Sequence, residues 1–510
     1  MWIELLILST LIGAGIVFLA PDRHAPRLAF ALSLIPLVGS LWMYATFDGT
    51  GNALREGSTI AFQSRVEWFQ LGDLYTLNWH VGLDGISMPL VVLATILTTL
   101  AIVSAWTPIE ERKSQFYGLM LFLEAALIGV FVALDFFVWF VFWEAVLIPM
   151  YLLIGVWGGP RRKYAAIKFF IYTNIASLVM FIGFVALVFG LGDAVNTFDL
   201  TDVAHALEVT EPDAVGWIDA STLKAAAFGA LFVGFAVKVP IVPFHTWLPD
   251  AHVEAPSPVS VLLAGVLLKM GTYALLRFNF TMLADQAMRF AEIIAAVAVI
   301  SVIYGALLAL AQRDLKRIVA YSSVSSMGYV ILGLMALTIY GVGGATFQML
   351  SHGLISGLLF MIVGVIYHET HTRMVSDISG LATRMPITVG AFVAGGFAYM
   401  GLPLMSGFAA EFFVFLGSFG SPHLPASHVV TPMAMFGVVI VAGYLLWAMQ
   451  QTLFGSFELA TDYDPREARV HDIAPIAVLL ALIVLLGVAP DIAFEMIRDA
   501  TAPIVPGGDM

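Results

Sequence analysis

KVPIVPFHTWLPDAHVEAPSPVSVLLAGVLLK, Lys238 to Lys269, joins two long apolar runs, and each run carries one lysine where its neighbours belong in hydrocarbon. Between the lysines lie five prolines (Pro240, Pro243, Pro249, Pro256, Pro258), two histidines (His245, His252) and two acids (Asp250, Glu254). A lysine at the centre of a membrane helix costs about 2.5–3.5 kcal/mol on insertion scales. Two such residues around a proline-rich break require a use for the charge. The use read here is a proton path.

Composition settles the class. Of 510 residues 60% are hydrophobic and only 12% charged, with a mean hydropathy of +0.93; a soluble chain carries about 25% charge. Apolar runs of roughly 18 or more residues recur from end to end, which predicts an all-α polytopic membrane protein, because lipid cannot satisfy open sheet edges. The absence of cysteine excludes thiolate-held iron–sulfur clusters and disulfides. A net charge of −13, carried largely by extramembrane loops, offers no basic patch for nucleic acid. The first apolar run lacks a basic leader and a small-residue cleavage site, and is read as a retained helix.

Window hydropathy predicts about fourteen spans, near 2–20, 28–47, 84–107, 115–133, 135–157, 164–191, 222–246, 257–282, 289–312, 318–339, 343–367, 386–417, 432–455 and 472–490. Two connections are long, 48–83 and the acidic 192–221. Counting Lys and Arg on alternate sides puts fifteen of the 23 basic residues on one face, among them Arg161, Lys163, Lys316 and Arg317. Six, including Arg277, fall on the other, and Lys238 and Lys269 lie inside spans. The positive-inside rule then places both termini on the non-cytoplasmic side, and the loop between the two lysines on the cytoplasmic side.

Two spans are interrupted, the seventh by Lys238-Val-Pro-Ile-Val-Pro and the twelfth by Gly401-Leu-Pro-Leu-Met-Ser-Gly407. Proline removes a backbone hydrogen bond and clashes with the preceding turn, and such breaks survive at membrane depth where the backbone is buried in protein or lines a wet cavity. The breaks stand five spans apart, in corresponding positions of two five-helix blocks, a pattern found in transporter repeats. The expected division is therefore 1–114 (three helices and a long outer loop), 115–282 and 289–455 (the two blocks), and 456–510 (a last helix and tail).

The buried ionisable residues define the candidate site. Glu144 lies near the middle of the fifth span, either as a protonated structural carboxyl or as the counter-charge to a lysine. Lys238 sits just before the first break, and Lys269 is enclosed by VSVLLAGVLLKMGTYALL on both sides. Burial disfavours the ammonium and a nearby carboxylate favours it, so a Glu–Lys pair of changing separation can hold or release a proton. Glu411 follows the second break. His352 lies in the eleventh span as a relay or a satisfied structural group, and Glu124 is a buried carboxyl with no neighbour legible in the sequence. Tyr321, Ser322, Ser323, Ser325 and Ser326 give the tenth span a hydroxyl-rich start, suited to ordered water or to close helix packing. His245, Asp250, His252 and Glu254 form the candidate proton entrance. Other chemistry is missing: no HEXXH, phosphate loop, dinucleotide fingerprint or nucleophile elbow occurs, and His368-Glu-Thr-His371 resembles a metal pair only superficially.

KVPIVPFHTWLPDAHVEAPSPVSVLLAGVLLKMGTYALLRF resembles the signature of the antiporter-like membrane subunits of respiratory complex I, a family shared with multisubunit Na+/H+ antiporters and membrane-bound hydrogenases. VGLDGIS (81–87), FWEAVLIPMYLLIGVWGG (142–159), RDLKRIVAYSSVSSMGY (313–329) and GLPLMSGFAAEF (401–412) resemble the same family in order. Within it the chain is most similar to the chain M type, equivalent to NADH dehydrogenase subunit 4. Glu411 stands where chains L and N and the antiporter counterparts typically carry lysine, and the long lateral helix of chain L does not follow.

The resemblance implies a fourteen-helix fold with two inverted five-helix repeats, forming a proton-translocating, non-redox subunit of an NADH–quinone oxidoreductase type complex in a prokaryotic cell membrane. Glu144 and Lys238 become the charge pair, Lys269 the central lysine, His352 a relay and Glu411 the exit-side carboxylate. No cofactor is expected in this chain; quinone, flavin and iron–sulfur clusters are expected in partner subunits, beside chain L-like and chain N-like neighbours. The alternative is a subunit of a stand-alone cation/proton antiporter or membrane-bound hydrogenase, against which Glu411 stands. One departure is Ser326, where the family usually has histidine; serine holds water but does not titrate near neutrality.

Overall fold

The computed structural model describes residues 1–72 and 74–507. Among these, twelve helices are long and apolar enough to cross a membrane, from Trp2–Leu19 to Val470–Val488. Two further crossings are the interrupted ones. Ala220–Lys238 ends at its lysine and continues, after the proline turn, as the short helix Trp247–Glu254. Pro386–Tyr399 and Ser406–Phe419 flank the second break. The fourteen expected crossings are thus all accounted for, with ends shifted by a few residues.

Acidic and hydroxyl residues start several helices by accepting the first free backbone N–H groups. Asp135 accepts from Phe137 and Val138, Asp314 from Lys316 and Arg317, and Thr338 from Gly341. The helical span Ser257–Met282, which carries Lys269, is buried along its whole length, whereas Trp2–Leu19, Ala25–Ala45 and Val470–Val488 keep less than half of theirs inside. The lysine therefore sits on the axis of the bundle.

Both breaks are satisfied from neighbouring elements. At the first, the indole Nε1 of Trp247 donates to Val237 O (2.8 Å), and Val242 N donates to Ser301 Oγ (3.1 Å). At the second, Gly401 has φ +69°, the left-handed region that glycine enters without penalty. A Cβ there would lie 2.7 Å from Glu411 Oε2, so the missing side chain is also what lets the carboxylate tuck against the break.

The all-α class holds, with a small two-stranded hairpin added in a connection between crossings. Ala61–Leu71 and Tyr75–Leu83 form an antiparallel hairpin within the first long connection. The first strand is largely exposed and the second largely buried, so the hairpin rests on the bundle through its second strand, and water can solvate the outer edge as lipid could not. His80 on the second strand is fully buried; its Nδ1 meets Asp199 Oδ2 at 2.6 Å, and Arg65 Nε reaches the same oxygen at 3.2 Å. The second connection contributes Leu200–Val209, capped by that same Asp199.

A C-terminal helix, Asp491–Thr501, packs Phe494 on Phe413 at 4.1 Å. Asn52 ties it to the outer loop, donating to Ala500 O (3.0 Å) and accepting from Arg277 (3.2 Å). Arg277, counted above as an outer-face charge, is buried and paired with Asp84. The helix end that follows Lys269 is therefore anchored by an ion pair rather than exposed to water.

Burial pushes the Asp199 carboxyl up, but the hydrogen bond and charge of His80, the Thr201 hydroxyl and the Arg65 guanidinium together hold it below its ordinary value. A depressed carboxyl stabilises the fold above its unfolded value near pH ~3.9 and loses that contribution as pH falls through the folded value. Protection of the hairpin amides, taken relative to their intrinsic exchange rate at each pH, should therefore hold from neutrality to about pH 4 and fall below it. Asp199→Asn should weaken the hairpin at neutral pH by about 1.5–3 kcal/mol, the worth of a charged hydrogen bond. Unchanged exchange in that variant would exclude the clamp.

Candidate functional site

The site starts where the fifth span loses regularity. Proline at 149 has no N–H for the carbonyl four residues earlier, and the helix divides into Phe136–Ala145 and Leu147–Trp157 at Glu144–Val146. Glu144 is half-buried. Its Oε2 accepts a long 3.5 Å bond from Asn174 Nδ2, and its Oε1 is buried with no partner. A carboxylate so loosely held keeps its capacity for another donor.

Lys238 is that donor's natural source, yet the two are not in contact. The ammonium is buried without a hydrogen-bond partner and lies 4.7 Å from the centre of the Trp143 ring. Glu144 is the charge whose field reaches it. The indole face stabilises the ammonium by about 2 kcal/mol or more when desolvated, and Trp143 is fixed by its own bond from Nε1 to Ser177 Oγ (2.9 Å). The Glu144–Lys238 pair is therefore open, with the ammonium resting on the ring of Trp143, the residue next to the carboxylate.

Lys269 is fully buried and fully engaged. Its Nζ donates to Ala264 O at 2.6 Å and to His352 Nδ1 at 2.6 Å. The first bond depends on a π turn, Leu263–Leu267, which widens the helix next to the lysine. Single π turns commonly mark functional positions in helices. The second bond needs the two helices close together, and two glycines allow it: a Cβ at Gly353 would lie 2.8 Å from Gly265 O. With Nζ donating, Nδ1 is the acceptor and the ring's own proton resides on Nε2, which is buried and unpartnered. An imidazole in this state takes a proton on one nitrogen and releases one from the other.

Beyond His352 the site is lined with hydroxyls. Tyr399 stands edge-to-face to the His352 ring at 5.9 Å, and Ser326 Oγ donates to its phenol oxygen at 2.9 Å. Glu411, buried, follows at the second break. Ser322 and Ser323 bond to Val319 O and Ser325 to Val302 O, while Ser326 donates across to the Tyr399 hydroxyl.

Toward the cytoplasmic face by the charge count, the structure separates the candidate entrance residues. Asp250 pairs with Lys168 (2.8 Å) and Arg161 (3.3 Å), and Glu254 Oε2 accepts from Arg161 N (2.8 Å); both brace the 158–163 turn. His245 lies edge-on to Tyr304 at 5.8 Å. His252 is fully buried, stacked on Phe360 at 4.4 Å, with both ring nitrogens unpartnered. Glu124 is fully buried on Lys113–Val132, with neither oxygen bonded. A cavity of about 450 Å³ opens beside Glu254 and reaches Lys316, Asp472 and Arg373.

Sequence reasoning missed three residues. Lys316, counted as a loop charge, is buried and donates to Ala255 O; the signal was Asp314, a helix cap that puts Lys316 in the first turn. Trp143, beside Glu144, carries no charge and no break that would single it out within its aromatic run. Tyr399 carries the one aromatic hydroxyl of an apolar run ending at a break. Among the described residues, no group of three or more His, Asp or Glu is placed to hold a metal; His371 instead stacks on Tyr463 at 3.8 Å.

Comparison with known proteins follows the same outline. The sequence profile of the NADH:quinone oxidoreductase/Mrp antiporter transmembrane family matches residues 133–440. NAD(P)H-quinone oxidoreductase chain 4 3 of Trichormus variabilis is 40% identical over 502 residues, covering 96% of this chain and 88% of the relative. F(420)H(2) dehydrogenase subunit M of Methanosarcina mazei is 39% identical over 512 residues, covering 98% and 97%. A chain of respiratory complex I from Thermus thermophilus with bound NADH superposes with a TM-score of 0.85 at 26% identity, covering 99% of this chain and 100% of that one.

Gly353→Ala tests the close approach. The new methyl meets backbone, which cannot swing aside, so the helices must part and the Lys269–His352 bond must lengthen. Overpacking of this kind costs about 1–3 kcal/mol. Coupled turnover of the assembled complex should fall severalfold, while Gly229→Ala, which meets open space, should not change it. Equal turnover in the two variants would show that the helix spacing is not critical.

Proposed function

The chain belongs to the NADH:quinone oxidoreductase/Mrp antiporter family of transmembrane subunits, and from that premise we propose that it moves protons along the buried row Glu144, Lys238, Lys269, His352, Glu411. It is an antiporter-like membrane subunit of the complex I kind. The observation that carries the proposal is the contact between Lys269 Nζ and His352 Nδ1 at 2.6 Å in the fully buried centre of the bundle. An insertion cost of about 2.5–3.5 kcal/mol per lysine gains a passive scaffold nothing.

The chain supplies translocation, and the redox chemistry lies in partner subunits holding quinone, flavin and iron–sulfur clusters. Neighbours of the chain L and chain N type flank it in the membrane arm. Both termini lie on the non-cytoplasmic side of a prokaryotic cell membrane, and 115–282 and 289–455 are the two inverted repeats. Protons enter from the cytoplasmic cavity past Lys316 and His252 to Lys269, with Asp250 and Glu254 shaping the mouth and His245 beside it. Movement of Glu144 toward or away from Lys238 sets whether that lysine, and through it Lys269, holds its proton. Like charges in a low-dielectric interior repel strongly enough for one lysine to unload the other. The proton passes from Lys269 through His352 to Glu411 and leaves on the far side.

Lys269→Ala and Glu144→Ala should leave the complex assembled and lower coupled quinone reduction by roughly tenfold, as about 1.4 kcal/mol of added barrier does. Lys238→Arg should not restore full pumping, because guanidinium keeps its proton in proteins. Proton uptake into vesicles carrying the assembled complexes measures all three. Normal pumping by Glu144→Ala, or full activity of Lys238→Arg, would contradict the assigned roles.

A further inference from the structure

Between His352 and Glu411 the structure offers one aromatic hydroxyl on the helix leading into the second break. Tyr399 is the last residue of Pro386–Tyr399, it is buried, and its ring stands edge-to-face to His352, whose Nε2 has no partner. Its oxygen accepts from Ser326 Oγ at 2.9 Å, which leaves its own O–H free to donate. Ser322 and Ser323 present further hydroxyls to it from the same helix as Ser326. The charge of Glu411 reaches Tyr399 from the far side of the break, and the same carboxylate also acts on Tyr329 and Tyr444. These two differ from Tyr399. Tyr329 donates to Ala434 O at 3.3 Å, and neither it nor Tyr444 makes a ring contact with His352.

We propose that the Tyr399 hydroxyl, seated by Ser326, carries the proton on the step from His352 to Glu411; this rests on the proton path above. The step balances. A protonated His352 gives up its Nε2 proton toward the phenol oxygen while the phenol's own proton moves on, directly or through the Ser326 hydroxyl and water, to the Glu411 carboxylate. The imidazole ends neutral and the carboxyl protonated. Each hydroxyl ends with the one proton it began with, so neither must ionise. A serine at 326 is therefore sufficient, because its task is to hold the phenol and pass a proton, not to store one.

The test uses the whole assembled complex in proteoliposomes and reads proton translocation during quinone reduction. Tyr399→Phe, which removes one oxygen and no packing volume, should lower translocation about tenfold. Replacing Tyr399 by 3,5-difluorotyrosine, nearly the same size but more acidic, should keep translocation and move the alkaline limb of its pH profile to lower pH. A purely structural tyrosine would not produce that displacement. Parental translocation by Tyr399→Phe, or a difluorotyrosine profile that does not move, overturns the inference. Glu411→Gln in the same preparation separates the two claims. If it pumps normally the path reading falls and this step with it; if it fails while Tyr399→Phe pumps normally, only the tyrosine step falls.

Discussion

The structure depends on one buried ammonium with two acceptors. Lys269 has no water-facing exit, and its charge is tolerable only because Ala264 O and His352 Nδ1 both lie 2.6 Å away. Each acceptor requires a local departure from regular helix packing. The carbonyl comes from a π turn, and the imidazole from a glycine-to-glycine crossing that brings Ser257–Met282 against Ile339–Thr370. Neither departure stabilises a membrane helix by itself. Both serve to give the Lys269 amine its two partners.

From that centre the rest of the bundle follows as support. The first break leaves Lys238 at the end of its helix, and the second sets Gly401 against Glu411 in the second turn of Ser406–Phe419. Trp247 and Ser301 satisfy the backbone groups freed at the first break, so the interruption does not expose bare amides to lipid. Arg277, Asp84 and Asn52 fix the far end of the lysine-bearing helix to the loop and the C-terminal helix.

Much of this was legible in the sequence because membrane helices are written in long apolar runs and lysine is conspicuous within them. The crossings, the two breaks and the five members of the row follow from hydropathy, proline and charge. The hairpin at 61–83 was missed because hydropathy says what avoids lipid, not what forms in water beside it. Charge counting put Arg277 and Lys316 in loops; a helix's first turn and a buried ion pair look alike when only position along the chain is known. Above all, the Lys269–His352 bond spans 83 residues, and the Trp143 face on which Lys238 rests is set by packing. No periodicity announces either. Tyr399 stayed hidden for the same reason, since its partners Ser326 and His352 lie on two other helices.

The most direct test of the account is the number of protons moved per quinone reduced by the assembled complex in sealed vesicles when His352 is replaced by leucine. That change keeps an apolar side chain of similar bulk and removes both ring nitrogens. The account predicts an intact complex with coupled translocation down about tenfold, the loss expected when a proton step gains about 1.4 kcal/mol of barrier. An intact complex that translocates protons at the parental yield and rate would contradict it.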